Sequence, residues 1–109
     1  MDLNWKAKWL KALRSGKYKQ TDCVLRRGGN KKKATFCCFG VLCDVAGAKW
    51  EKSYKNFDAY KCSFGDHTLS PSSLELFGIA SVQQRKLIVM NDIENNSFNE
   101  IADYIEKRL

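Results

Sequence analysis

Residues 97–109 read SFNEIADYIEKRL and carry the clearest fold signal in the chain. Ser97 and Glu100 stand at the S-x-x-E spacing at which each side chain satisfies a free backbone N–H near the other, so a helix opens here. Phe98, Ile101, Ala102, Ile105 and Leu109 then recur on one helical face. Lys107 and Arg108 fall in the last turn, where they oppose the negative end of the helix dipole. A helix with one apolar stripe must bury it, so the rest of the chain has to supply a partner surface.

Moving toward the N-terminus, Ser81 with Gln84 fits a second capping box. Ser70-Pro71 starts a short helix through Leu76, with proline at the first helical position, where its missing N–H does no harm. At the opposite end, a helix is expected from Leu3 to Ser15. Trp5, Trp9, Ala12 and Leu13 recur at i, i+4, i+7 and i+8, and Leu3 and Leu10 widen the stripe. Asp2 or Asn4 can cap its start, and Gly16 suits the left-handed position after its end. Lys6, Lys8, Lys11 and Arg14 lie mostly away from the Trp face.

Between the helical ends the pattern turns to short strands. Asp22 to Leu25 and Ala34 to Cys38 read as a hairpin pair. RRGGNKKK, Arg26 to Lys33, forms its charged tip, because Gly28, Gly29 and Asn30 tolerate positive φ. CCFGVLCDVAG follows; Phe39, Val41, Leu42, Val45 and Ala46, closed by Gly47, read best as a short buried helix, with strand as the competing reading. From Trp50 to Leu69 one or two strands are expected, with Tyr60 to Phe64 and His67 to Leu69 flanking a turn at Gly65-Asp66. The fold class is therefore α+β: a small antiparallel sheet, a hairpin plus one or two strands, packed with N- and C-terminal helices. The 109 residues fit one compact domain, 1–109, with one core. There is one proline and no Gly/Ser-rich linker to mark a boundary.

Charge is distributed unevenly. The first 33 residues hold 11 of the 19 Lys and Arg and two of the 12 acids, so that segment is +9 and the rest of the chain −2, for the net of +7. A local basic surplus points to an anionic partner rather than to general solubility. The candidate ligand-binding residues are Arg14, Lys17, Tyr18, Lys19, Gln20, Arg26 and Arg27, with Lys31 to Lys33 on the tip. Clustered cations suffice for phosphate, and Tyr18 among them can stack on a base. A solvated lysine-rich face is the alternative. The Gly pair is no phosphate loop, since G-x-x-x-x-G-K-[ST] is absent.

The other constellations are weaker. The five cysteines, Cys23, Cys37, Cys38, Cys43 and Cys62, are an odd number in a chain that looks reduced, and they read as small buried apolar residues. Cys23, Cys38, Cys62 and His67 could be drawn together on a small sheet, but no C-x-x-C pairing supports metal, and none is expected. Cys43 or Cys38 with the single histidine, His67, is the one pairing available for nucleophilic catalysis, and no recognised nucleophile context surrounds it. No catalytic residue is assigned and no cofactor is expected. Trp5, Trp9 and Trp50 read as core. Tyr54, Phe57, Tyr60 and Phe64 alternate with Lys55, Asp58 and Lys61 and read as half-buried strand positions or, alternatively, a pocket or partner surface. The acidic C-terminal end, with Asp92, Glu94, Glu100, Asp103 and Glu106, would support head-to-tail self-association with the basic N-terminal end, a form of homo-oligomer. No apolar run approaches the ~20 residues of a membrane span, and no signal peptide is legible, so a cytosolic protein is expected.

Three segments together, WLKALRSGKYKQ (Trp9 to Gln20), CCFGVLCDVAG (Cys37 to Gly47) and LIVMND followed by SFNEIADYIEKRL (Leu87 to Leu109), resemble a family of small proteins encoded by bacteriophages and prophages. The pattern is A-L-R-S-G-x-Y-x-Q, then C-C-x-G-V-L-C-D, then N-D and S-F-x-E-I-A-x-x-I-E. The resemblance fades from Ala48 to Arg85 and transfers no activity. It implies a viral accessory role in the bacterial host cytoplasm. Such proteins often antagonise host defence by binding an effector or sequestering a nucleotide signal. The expectation is therefore a non-enzymatic binding protein whose partner is a host defence protein or a nucleotide-type small molecule, engaged through the basic N-terminal third. A small nucleic-acid-binding regulator and a small Cys/His enzyme stand as alternatives.

Overall fold

The computed structural model describes residues 1–30, 32–53 and 56–109, and for residues 56 and 57 the backbone alone. The expectations placed on Lys31, Tyr54, Lys55 and the Phe57 side chain lie outside the described residues. The order of elements is α1 (Leu3–Leu13), β1 (Lys19–Gln20), β2 (Arg26–Arg27), β3 (Thr35–Phe36), α2 (Cys38–Val45), β4 (Glu51–Ser53), β5 (Asn56–Lys61), α3 (Pro71–Phe77), α4 (Ser81–Asp92) and α5 (Phe98–Arg108).

The helices at the two ends form where their caps and stripes place them. In α1, Trp5 N donates to Asp2 Oδ1 at 3.0 Å, and Trp9 and Leu13 are buried. In α5, Glu100 N donates to Ser97 Oγ at 3.2 Å while Ser97 N donates to Glu100 Oε1 at 2.9 Å, the full reciprocal box. Phe98, Ile101, Ala102 and Ile105 are its buried face. The second expected box does not form, because the N-cap of α4 is Ala80, which has no side-chain acceptor, and only the return bond from the helix is made. Ala80 caps α4, Ala80 N donates to Gln83 Oε1 at 2.9 Å, and Gln84 Oε1 instead accepts from Leu69 N at 2.9 Å.

CCFGVLCDVAG is a helix, not a strand, because α2 occupies the centre of the molecule and has no solvent face to alternate toward. Cys38, Phe39, Gly40, Val41, Leu42 and Cys43 are all buried. Trp9 Nε1 donates to Cys38 O at 2.8 Å and fixes α1 against its start. Gly40 is where α2 presses on the chain leading into the sheet. A Cβ there would come within 1.8 Å of Leu25 O, so only glycine permits the approach.

The sheet order is β1-β3-β2-β5-β4. β3 pairs antiparallel with β2, β2 with β5, and β5 with β4, but β1 runs parallel to β3, Lys19 opposite Thr35 and Gln20 opposite Phe36. The α+β class is as the sequence implies, and the parallel edge pair adds to it. The first hairpin strand is not Asp22 to Leu25. Cys23 takes a positive φ of 64°, Val24 N bonds back to Asp22 O at 2.8 Å, and Val24 and Leu25 are buried in succession, so this segment bends instead of pleating. Strand pairing begins at Arg26–Arg27, which makes β2 the central strand and moves both arginines from the expected tip into the sheet. The second expected turn also shifts. β5 ends at Lys61, and the chain reverses between Cys62 and Gly65, with N–H···O bonds in both directions at 3.0 and 3.1 Å.

One core joins these layers. Trp9, Phe39, Leu42, Phe77, Leu87, Ile101 and Ile105 are fully buried within it. Each such side chain contributes about 1.5–3 kcal/mol by its removal from water. Trp5 packs edge-on against Phe77 with ring centroids 5.3 Å apart, and Trp5 and Trp50 are half-buried at the margin of the core rather than inside it.

Candidate anion-binding site

The seven sequence candidates divide into residues tied within the fold and residues that share a cleft. Arg14 is tied. Its Nη2 lies 2.8 Å from Asp103 Oδ1 and its Nη1 3.1 Å from Glu106 Oε1, which joins α1 to α5. The hydrogen bonds to Asp103 and then Glu106 push its pKa further up. Lys6 Nζ also donates to Glu106 O at 3.1 Å. Some of the opposite charge expected to join separate molecules therefore meets inside one.

Gln20 and Arg27 are also engaged. Gln20 Nε2 donates to Asn91 Oδ1 at 2.9 Å and to Asn96 O at 2.8 Å. Arg27 Nε donates to Thr21 Oγ1 at 3.2 Å. Asn91, at 3% exposure, is the hub of this region: Oδ1 also accepts from Cys38 N at 3.2 Å, and Nδ2 donates to Thr21 O at 2.9 Å and Asp92 Oδ1 at 2.8 Å. It holds β1, α2 and α4 together, and sequence reasoning missed it because one amide among Asn91, Asn95 and Asn96 looks like any other.

Lys17, Tyr18, Lys19 and Arg26 do converge. With Lys32, Ala34, Phe36 and Asp44 they line one cleft of about 200 Å³ between β1 and the hairpin. Lys17, Lys19 and Lys32 are exposed at its rim. Its floor is aromatic: Tyr18 meets Phe36 edge-on at 5.1 Å, and Phe36 meets Trp50 at 5.9 Å. Arg26 is 6% exposed, and its guanidinium lies 5.7 Å from the Phe36 ring, 5.7 Å from Trp50 and 5.3 Å from Tyr60. Its Nε donates to Gly28 O at 3.0 Å. A buried arginine is stable here because π faces and a carbonyl replace its water.

Asp44 orients this floor and was not a sequence candidate, although it is the one acid inside the apolar α2 segment. Tyr18 Oη donates to its Oδ2 at 2.6 Å, and Trp50 Nε1 donates to its Oδ1 at 3.0 Å. Burial, and then the bond to Asp44, push the Tyr18 phenol well above its usual range, so it remains a neutral donor. A second cleft of about 270 Å³ adjoins the first, sharing Lys17 and Tyr18 and adding Lys8, Lys11, Ala12, Ser15 and Val45. Five lysines thus border two neighbouring depressions that share Lys17 and Tyr18.

The remaining constellations do not assemble. His67 is exposed, with Nδ1 3.1 Å from Asp66 Oδ1, while Cys38 and Cys43 are buried. Among the described residues no group of three or more His, Cys, Asp or Glu side chains is placed to hold a metal ion. Cys37, Cys38 and Cys43 are buried as expected, but Cys23 is exposed and Cys62 only half-buried. Among the described residues no helix is long and apolar enough to cross a membrane.

The molecule is thus a small α+β protein with a lysine-rimmed, aromatic-floored depression on one side. Over residues 1–109 it matches one family model, and the chain belongs to that family, described as a domain of unknown function (DUF8296). No curated protein matches the chain, and no solved structure does.

Proposed function

We propose that this protein is a non-enzymatic binder of an anionic, nucleotide-type ligand, seated in the paired clefts beside Tyr18. The observation that carries this reading is the convergence of Lys17, Lys19 and Lys32 over the Tyr18–Phe36 floor, with Lys8 and Lys11 around the adjoining cleft. Neither cleft alone reaches the roughly 300–1,000 Å³ usual for small-molecule sites, but the two are contiguous at Tyr18. Lysines at the rim suit phosphates, and the Tyr18 ring beside them, its hydroxyl proton committed to Asp44, offers an apolar face to the rest of the ligand. The bacteriophage resemblance suggests a role: sequestering a nucleotide signal of host defence in the bacterial cytoplasm, or docking the same face on an acidic host protein.

Isothermal titration against a panel of mono-, di- and cyclic nucleotides tests the ligand class. Binding that weakens at least about tenfold in the Lys17→Ala/Lys19→Ala double variant is expected, a loss of roughly 1.4 kcal/mol or more. No binding to any nucleotide, together with no protein captured from host lysate, would sink the proposal. Because the lysines run in a band past both clefts, a single strand of nucleic acid is the second reading. It requires a mobility shift that fades steeply as salt rises.

A further inference from the structure

We propose that the paired clefts select their ligand by the number of its phosphates and not by its base, so that the ligand class is a polyphosphorylated nucleotide of any base. This deepens the nucleotide reading of the clefts and rests on it.

Reading a base requires donors and acceptors held at a fixed spacing, because each base edge presents its own pattern of the two. Among the described side chains that line the clefts, no such set is available. Lys8, Lys11, Lys17, Lys19 and Lys32 are exposed, and an ammonium on a flexible stem donates without fixed direction and accepts nothing. Arg26 has the one rigid fork, and it is turned inward: Nε donates to Gly28 O at 3.0 Å and Nη2 to Gly29 O at 3.4 Å. The lining acceptors are engaged within the fold. Tyr18 Oη and Trp50 Nε1 hold the two oxygens of Asp44 at 2.6 and 3.0 Å. Ser15 Oγ donates to Ala12 O at 2.6 Å and accepts from Lys17 N at 3.2 Å. Gln20 carries an amide of the kind that reads adenine, but it lines a separate cleft with Thr21, Asp22, Asn91 and Asn95. Its Nε2 is committed there to Asn91 Oδ1 and Asn96 O.

What the clefts do offer is indifferent to the base. The Tyr18 ring lines both, and an aromatic face stacks on any base because every base has a π face. Around that ring, the five lysines and Arg26 face a single carboxylate, Asp44. None of the five lysines is in an ion pair with a described residue. A monophosphate engages only part of this charge. Each further phosphate meets ammonium groups that are still unneutralised, so affinity rises with phosphate number while the base adds a constant contribution.

The full chain is titrated calorimetrically, at low salt and without divalent cations, against AMP, ADP and ATP, then GTP, CTP and UTP. Inorganic tripolyphosphate is the probe that lacks a base. ATP is expected to bind roughly tenfold or more tighter than AMP. The four triphosphates should agree within about threefold, and tripolyphosphate should be weaker than all of them for want of stacking. Lys11→Ala/Lys32→Ala, one lysine from each cleft, should shrink the gap between AMP and ATP. Lys107→Ala/Arg108→Ala removes the same charge from the last turn of α5, lines neither cleft, and should leave the gap unchanged. A preference for one base of more than about tenfold at equal phosphate number, beyond what stacking supplies, would overturn the proposal and leave nucleotide binding standing. Equal affinity for AMP and ATP would do the same. An equal loss in both double variants would overturn it too, since the series would then report net charge alone. Tripolyphosphate as tight as ATP, or no binding by any nucleotide, would remove the nucleotide reading itself and this proposal with it.

Discussion

Arg26 shows how the same residue type serves two ends in one cleft. Its neighbours Lys17, Lys19 and Lys32 are rim charges in water, whereas Arg26 lies under three aromatic rings and donates to the Gly28 carbonyl. Removing a rim lysine leaves solvent where solvent already was. Removing Arg26 leaves a carbonyl and three ring faces without their partner and deletes the stem that fills the space between them. Arg26→Ala is therefore expected to lower unfolding free energy by about 2–4 kcal/mol in urea denaturation, and Lys19→Ala to change it by less than about 0.5 kcal/mol. Ligand affinity should respond to Lys19→Ala under conditions where stability does not. Comparable destabilisation by the two substitutions would mean that the rim is structural.

At the scale of elements, the cap of α5 makes the fold pH-sensitive on the acid side. The Ser97 backbone N–H, then its hydroxyl, hold the Glu100 carboxyl below its ordinary pKa. A carboxyl lowered by folding contributes stability that is complete above its unfolded pKa and is lost as pH falls through the folded one. Ser97→Ala should cost about 1 kcal/mol at neutral pH. Glu100→Gln should flatten the acid limb of the Tm–pH profile, since the amide oxygen still accepts the bonds and no longer titrates; an unchanged limb would show that other carboxyls set it. This helix was legible in the sequence because its signals are local: one box, one stripe, one charged last turn. α1 and α2 were legible for the same reason. β2 was not, because two arginines do not look like a central strand until the rings from β3, β5 and the segment before β4 are seen around them. The cleft was half legible. Lys17, Tyr18 and Lys19 announce themselves by composition, but Asp44, which orients Tyr18, joins them through a contact 26 residues away.

For the whole molecule, the basic surplus of the N-terminal third is drawn into two uses. Arg14 and Lys6 bind α1 to α5, and the lysines near Tyr18 remain at the surface. The opposite charges of the chain ends are thus partly satisfied within one molecule, while Lys8, Lys11, Lys17, Lys19 and Lys32 remain around the two clefts. That separation gives the proposed binding face its salt dependence without making the fold equally dependent on salt, since the core is apolar.

The Asn91 hub also has a consequence in time. A ribosome delivers β1 early, but β1 is only two residues long, and its parallel partner β3 and its amide anchor on α4 come later in the chain. Until residue 91 has left the exit tunnel, Gln20 and Thr21 have no partner on α4 to hold them. Arrested nascent chains that end near Ala80 should therefore be cut by protease around Lys17 to Arg27, and chains long enough to expose α4 should resist. The segment that carries most of the proposed ligand contacts would be among the last to become ordered as the protein is made.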